Sequence, residues 1–171
     1  PSRVGGARGS PLRLLLLLGC VVSVGAQTNG AVTTIAGSGR RSGSCTSSAT
    51  DLNEPKGVVA SPDGNNLFVA GGSSNRIHQV SLGTGGGITS IAGSGTAGSD
   101  DGTGSAATFA DPHGVAVTSD GSTLYVVEKA GYRSRVRRII LSSTVVTSIA
   151  GCISSWGCGS ESDGTGVDAT F

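Results

Sequence analysis

The sequence predicts an all-β protein assembled from repeated four-stranded antiparallel units, and three observations predict it. The first is a repeat. Ile35-Ala36-Gly37 returns as Ile91-Ala92-Gly93 and again as Ile149-Ala150-Gly151, and Pro55-Lys56-Gly57-Val58 returns as Pro112-His113-Gly114-Val115. Asp63-Gly64 with Leu67-Phe68-Val69 returns as Asp120-Gly121 with Leu124-Tyr125-Val126. A period of roughly 57 residues marks an array of similar supersecondary units. The second is composition: 30 of the 171 residues are glycine, and β-branched residues and glycine fill the apolar segments, which rules out a helical bundle. The third is that each unit offers four short strand-like runs separated by turn chemistry, the sequence form of a β-propeller blade.

In chain order, the amino-terminal 26 residues read as a secretory signal. Arg3, Arg8 and Arg13 precede the apolar run 14–18, and Val24-Gly25-Ala26 offers small or apolar residues for cleavage before Gln27. The run is too short for a membrane span. A lipoprotein reading, with Cys20 lipidated after Leu17-Leu18-Gly19, is the alternative. Residues 31–36 match only the fourth strand of a unit, so they are expected to stand as an orphan strand that closes a ring. The first blade occupies 55–93, with strands at 57–60, 66–70, 76–82 and 87–92. The second occupies 112–151, with strands at 114–118, 123–128, 135–141 and 144–150. Asp63-Gly64 and Asp120-Gly121 supply hairpin turns. Residues 152–171 read as the start of the next connector, so the chain reads as about two blades of a larger ring.

The second unit carries the pattern Pro112-x-Gly114-Val115-x-Val117, Asp120-Gly121, Leu124-Tyr125-Val126, Arg135-Val136-Arg137-Arg138-Ile139 and Thr147-Ser148-Ile149-Ala150-Gly151. It resembles the NHL repeat, and residues 55–93 carry the same pattern with substitutions. The spacer Asp101-Gly102-Thr103-Gly104 followed by Ala107-Thr108-Phe109, repeated from Asp163 to Phe171, is similar to the connector of long-loop members. The resemblance implies a propeller of about six blades that serves as a binding scaffold through its inter-blade loops.

Formal net charge is +1, which implies neither a nucleic-acid surface nor a trap for acidic substrates. The basic run Arg133, Arg135, Arg137 and Arg138 is expected to occupy solvated positions on a half-buried strand; some NHL proteins bind RNA, but an exported chain does not meet it. The clustered oxygens around Asp100, Asp101 and Thr103 could hold calcium, but they lack EF-hand spacing. A hydrogen-bonded turn followed by an apolar plug at Leu52, Phe109 or Phe171 is the expectation there. His113 is the one weak metal candidate. Pro112-His113-Gly114 resembles a segment of the amidating lyases, whose zinc needs about three protein ligands, yet Lys56 stands at the equivalent position. A gluconolactonase-like hydrolase would need acidic residues on the innermost strands, and 58–60 and 115–117 have none. No Gly-x-Ser-x-Gly elbow is present.

Cys152 and Cys158 bracket a short insertion and are expected to form a local disulfide, with Trp156 displayed between them as a contact residue and Cys45 left odd. The reading is an exported, non-catalytic scaffold without a cofactor. It binds a protein or carbohydrate through Trp156, Asp100, Asp101 and Thr103. A metal-dependent propeller enzyme and the ectodomain of a membrane receptor are the alternatives.

Overall fold

A computed structural model describes residues 13–16, 22–25, 34–36, 52–83, 87–130 and 133–151. Among the described residues twelve strands follow in order: β1 (Arg13–Leu16), β2 (Val22–Gly25), β3 (Thr34–Ala36), β4 (Pro55–Ala60), β5 (Asn66–Gly71), β6 (Arg76–Ser81), β7 (Ile88–Ala92), β8 (Gly102–Thr103), β9 (Pro112–Val117), β10 (Thr123–Ala130), β11 (Arg133–Ile140) and β12 (Val145–Gly151). Among the described residues the only helix is a 3₁₀ turn at Gly104–Ala106.

Two sheets are the expected blades. One runs β4-β5-β6-β7, and the other β9-β10-β11-β12, every neighbouring pair antiparallel. All eight strand positions agree with the sequence reading to within two residues. The hairpin turns form as the Asp-Gly pairs require, with Gly64 at φ 72° and Gly121 at φ 71°. Asp63 and Asp120 close these turns by accepting the Ser61 and Thr118 hydroxyls and the backbone N–H groups of Asn65 and Ser122. Those hydroxyl bonds, then the backbone bonds, hold both carboxyls below the ordinary range, Asp120 at about 2.

Two elements depart from the expectation. Thr34–Ala36 does not stand alone: β3 pairs with β2, and β2 with β1, in a three-stranded antiparallel sheet. Both partner strands come from the segment read as a leader. The second blade also gains a fifth strand, because β8 of the connector adds antiparallel to the outer edge of β12, Thr103 opposite Val145 and Gly102 opposite Val146.

The core lies between the blades. Phe68, Ala70, Ile77 and Ala92 on one face of the first blade pack against Leu124, Val126, Ile139 and Val146 of the second, with Phe109 and Ala107 of the connector sealed among them. The opposite face of the first blade buries Leu67, Val69 and Val80 with Leu52. Leu52 and Phe109 thus fill the plug position assigned to them; Phe171 lies outside the described residues. The innermost strands meet at Gly57, where any Cβ would strike the backbone of His113 and Gly114. Glycine is required there by close approach. Each blade repeats a bulge at the same place, between Ile77 and His78 and between Val136 and Arg137.

The basic strand corrects the expectation. Arg138 is exposed, whereas Arg135 is buried and Arg137 is fully enclosed, as is its first-blade counterpart His78. The alternation of β11 sends 135, 137 and 139 to the core face, so these arginines had to be paired rather than solvated.

Candidate functional site

At one end of the two blades, the starts of the innermost strands converge with the 72–75 turn of the first blade. Glu54 and Asp111, the residues before Pro55 and Pro112, both adopt positive φ, 48° and 52°. An L-residue with a Cβ disfavours this region, and proline disfavours any helical form in the residue before it. The strain is held by hydrogen bonds. Gly72 donates its N–H to the Glu54 carbonyl at 3.0 Å, and Lys129 donates to the Asp111 carbonyl at 3.2 Å. Asn75, itself at φ 50°, accepts the Asp111 N–H at 3.1 Å through its side-chain oxygen.

The side chains so positioned form a polar rim. Lys56 Nζ of the first blade reaches Asp111 Oδ1 of the second at 2.5 Å, both partly exposed. The pair passes over Gly72, where a Cβ would fall 2.6 Å from the lysine Cε and 2.8 Å from the aspartate oxygen. Ser73 donates to Glu54 Oε2 at 2.6 Å. His113 Nδ1 lies 3.0 Å from the Asp111 carbonyl, which can only accept, so Nδ1 donates to it. Two acids, an ammonium, an imidazole and a hydroxyl therefore gather where two blades meet. Such a group can accept and donate to a polar partner, and its charges are solvated enough to be released by one.

The connector residues chosen from sequence are placed differently. Arg137 Nη1 donates to Glu128 Oε1 at 3.2 Å and to the Thr108 carbonyl at 3.0 Å; Nη2 donates to Asp101 Oδ1 and to the Asp100 carbonyl, each at 2.9 Å. The guanidinium also lies over the Phe109 ring, 5.1 Å from its centroid. Asp101 Oδ1 further accepts the N–H and hydroxyl of Ser148 at 2.8 and 3.0 Å. Asp101 therefore ties the connector to the blade, and Asp100 is held through its backbone and Thr108. Thr103 lies exposed on β8. Glu128, 1% exposed, has its carboxyl pushed up to about 7 by burial, against the nearby charge of Arg137, the Ala110 N–H and Arg135.

Trp156, Cys152, Cys158 and Cys45 lie outside the described residues. His113 sits on the rim with Asp111 as its acidic neighbour, Oδ2 at 3.6 Å. Among the described residues no three His, Cys, Asp or Glu side chains gather as a metal site would require. Sequence reasoning treated Lys56 only as the counterpart of His113, and passed over Glu54, Ser73 and Asp111. The available signal was the acid directly before the proline in both units.

No family model matches the chain, and no curated protein is detectably similar. Solved structures are similar in fold. A structural-genomics protein of unknown function from Bacteroides thetaiotaomicron superposes with TM-score 0.68 at 22% identity, over 92% of this chain and 36% of its own. An auxiliary nutrient binding protein from Bacteroides ovatus gives 0.60 at 15% identity, over 81% and 33%. A chain of a nidogen/laminin complex gives 0.54 at 13% identity, over 77% and 40%. At such identities the likeness shows the fold alone: the chain has the fold of part of a β-propeller. It spans roughly a third of the length of the first two structures it matches.

Proposed function

We propose that the chain is part of an exported propeller of the NHL kind. It would bind a polar partner, protein or carbohydrate, at the rim formed by Glu54, Lys56, Ser73, Asp111 and His113, without turnover of its own. The observation that carries the reading is the Lys56–Asp111 pair. It crosses from one blade to the next at a partly exposed position, on backbone strained at both acids. Strain of this kind clusters at functional sites. The similar structures lend support by analogy, since one is described as nutrient binding and another as part of a protein complex. The five recurrent motifs support the NHL reading, and the basic, apolar and small-residue order of 1–26 supports export.

The test is a panel of neutral and acidic oligosaccharides and acidic peptides, followed by ligand-observed NMR. Asp111→Asn and Lys56→Gln should weaken any hit by about tenfold or more, as loss of a charge-assisted contact does. Asp120→Asn, on the opposite rim, should leave it unchanged. A hit insensitive to the first two variants, or equally sensitive to the third, overturns the assignment.

A further inference from the structure

The donors and acceptors left open at the rim narrow what it can hold. Asp111 gives one carboxylate oxygen, Oδ1, to Lys56. Its other oxygen, Oδ2, lies 3.6 Å from His113 Nδ1, beyond hydrogen-bond reach. Glu54 gives Oε2 to the Ser73 hydroxyl and leaves Oε1 open. Among the described residues no donor meets Asp111 Oδ2 or Glu54 Oε1. On the donor side, Ser73 uses its one hydrogen on Glu54, and His113 Nδ1 donates to the Asp111 carbonyl. The Lys56 ammonium has three hydrogens and one described acceptor, so two remain. These groups surround one turn. Gly72 donates to the Glu54 carbonyl, Ser73 bonds the Glu54 carboxylate, and the Lys56–Asp111 pair passes over Gly72. Two open acceptors and two open donors therefore stand together at one blade junction, with Glu54 and Lys56 exposed and Asp111 partly so.

Charge decides between the ligands that could meet this set. A carboxylate or phosphate would have to take Lys56 from Asp111, and would then lie beside two like charges, Asp111 and Glu54. An ammonium or guanidinium would suit both acids. It would also stand against the Lys56 charge and cover the two lysine hydrogens without giving them an acceptor. A hydroxyl gives one hydrogen and accepts another. Two neighbouring hydroxyls therefore satisfy both acids and both lysine hydrogens, and they leave the Lys56–Asp111 pair in place. We propose that the rim holds a neutral saccharide by a vicinal pair of hydroxyls, one donating to Asp111 and one to Glu54, both accepting from Lys56. The inference rests on the reading of the rim as the binding site and names the class of ligand that site takes.

Saturation-transfer NMR of the full-length protein tests it, with methyl glucoside, methyl galactoside and methyl mannoside, the monodeoxy analogues of each, and hexaglutamate and hexaarginine peptides as charged probes. At least one neutral glycoside should bind. Removing either hydroxyl of its recognised pair should weaken binding about tenfold or more, because the partner groups are then covered and unmatched. The affinity should change by less than about twofold between about 0.05 and 0.5 M salt, since no ion is displaced. Asp111→Asn and Lys56→Gln should each weaken the same glycoside about tenfold. Binding confined to a charged peptide and sensitive to those two variants overturns this inference and leaves the rim reading standing. Glycoside binding that neither variant alters overturns both. Failure of every glycoside to bind, or binding that survives removal of each hydroxyl in turn, also overturns the inference.

Discussion

Arg137 is a residue that composition and spacing put on the surface and the strand period puts inside. The four N–H donors of its two Nη atoms suit the place, because a planar fork can serve Glu128, Asp101 and two connector carbonyls at once while its flat face lies on Phe109. Arg137→Ala would leave Glu128 buried without its ion-pair partner and should cost about 3–5 kcal/mol in urea unfolding. Arg137→Lys should recover little of that loss, since an ammonium cannot reproduce the fork. Glu128 gives a pH dependence of definite sign. Its carboxyl titrates at about 7 in the fold against 4.5 ordinarily, so the native state binds its proton more tightly. The stability it confers is fully present below about pH 4.5 and is lost as pH rises through about 7. Asp120 acts oppositely: its lowered carboxyl confers stability that is lost as pH falls from about 4 through about 2. Stability measured by unfolding across pH should therefore peak in the mildly acidic range, and Glu128→Gln should flatten the decline between about pH 5 and 8.

At the scale of elements, the strands were legible because they are short runs bounded by Gly-, Ser- and Asp-Gly-containing turns, and both blades repeat the same order. Strand β8 was not legible. It consists of Gly102 and Thr103 alone, and it forms because Asp101 anchors to Ser148, far along the chain. No local propensity encodes such a contact. The rim was half legible: the acid before each proline recurs in the sequence, but the reach of Lys56 to the acid of the following blade depends on how the innermost strands converge at Gly57. Gly57→Ala should force those strands apart and lower the thermal midpoint, measured by differential scanning calorimetry. The connector's plug is more than a spacer. Phe109→Ala should cost about 3–5 kcal/mol, because the ring is fully enclosed between two sheets and beneath Arg137.

At the scale of the molecule, the repeat was legible in the sequence, while the assembled rim was not, because it is made by a few side chains brought together from two units rather than by the period itself. The proposed export makes its own prediction. Amino-terminal sequencing of the protein recovered from culture medium should begin at Gln27, which would remove β1 and β2 and leave β3 to find another edge. The central claim is that the two blades share one core and so fix the rim as a single body. Residue-resolved amide hydrogen exchange tests it most directly. The slowest amides of β5 and β10 should open with the same free energy, and Phe109→Ala should lower both together. Exchange of one blade at its own rate, untouched by that substitution, would contradict the account.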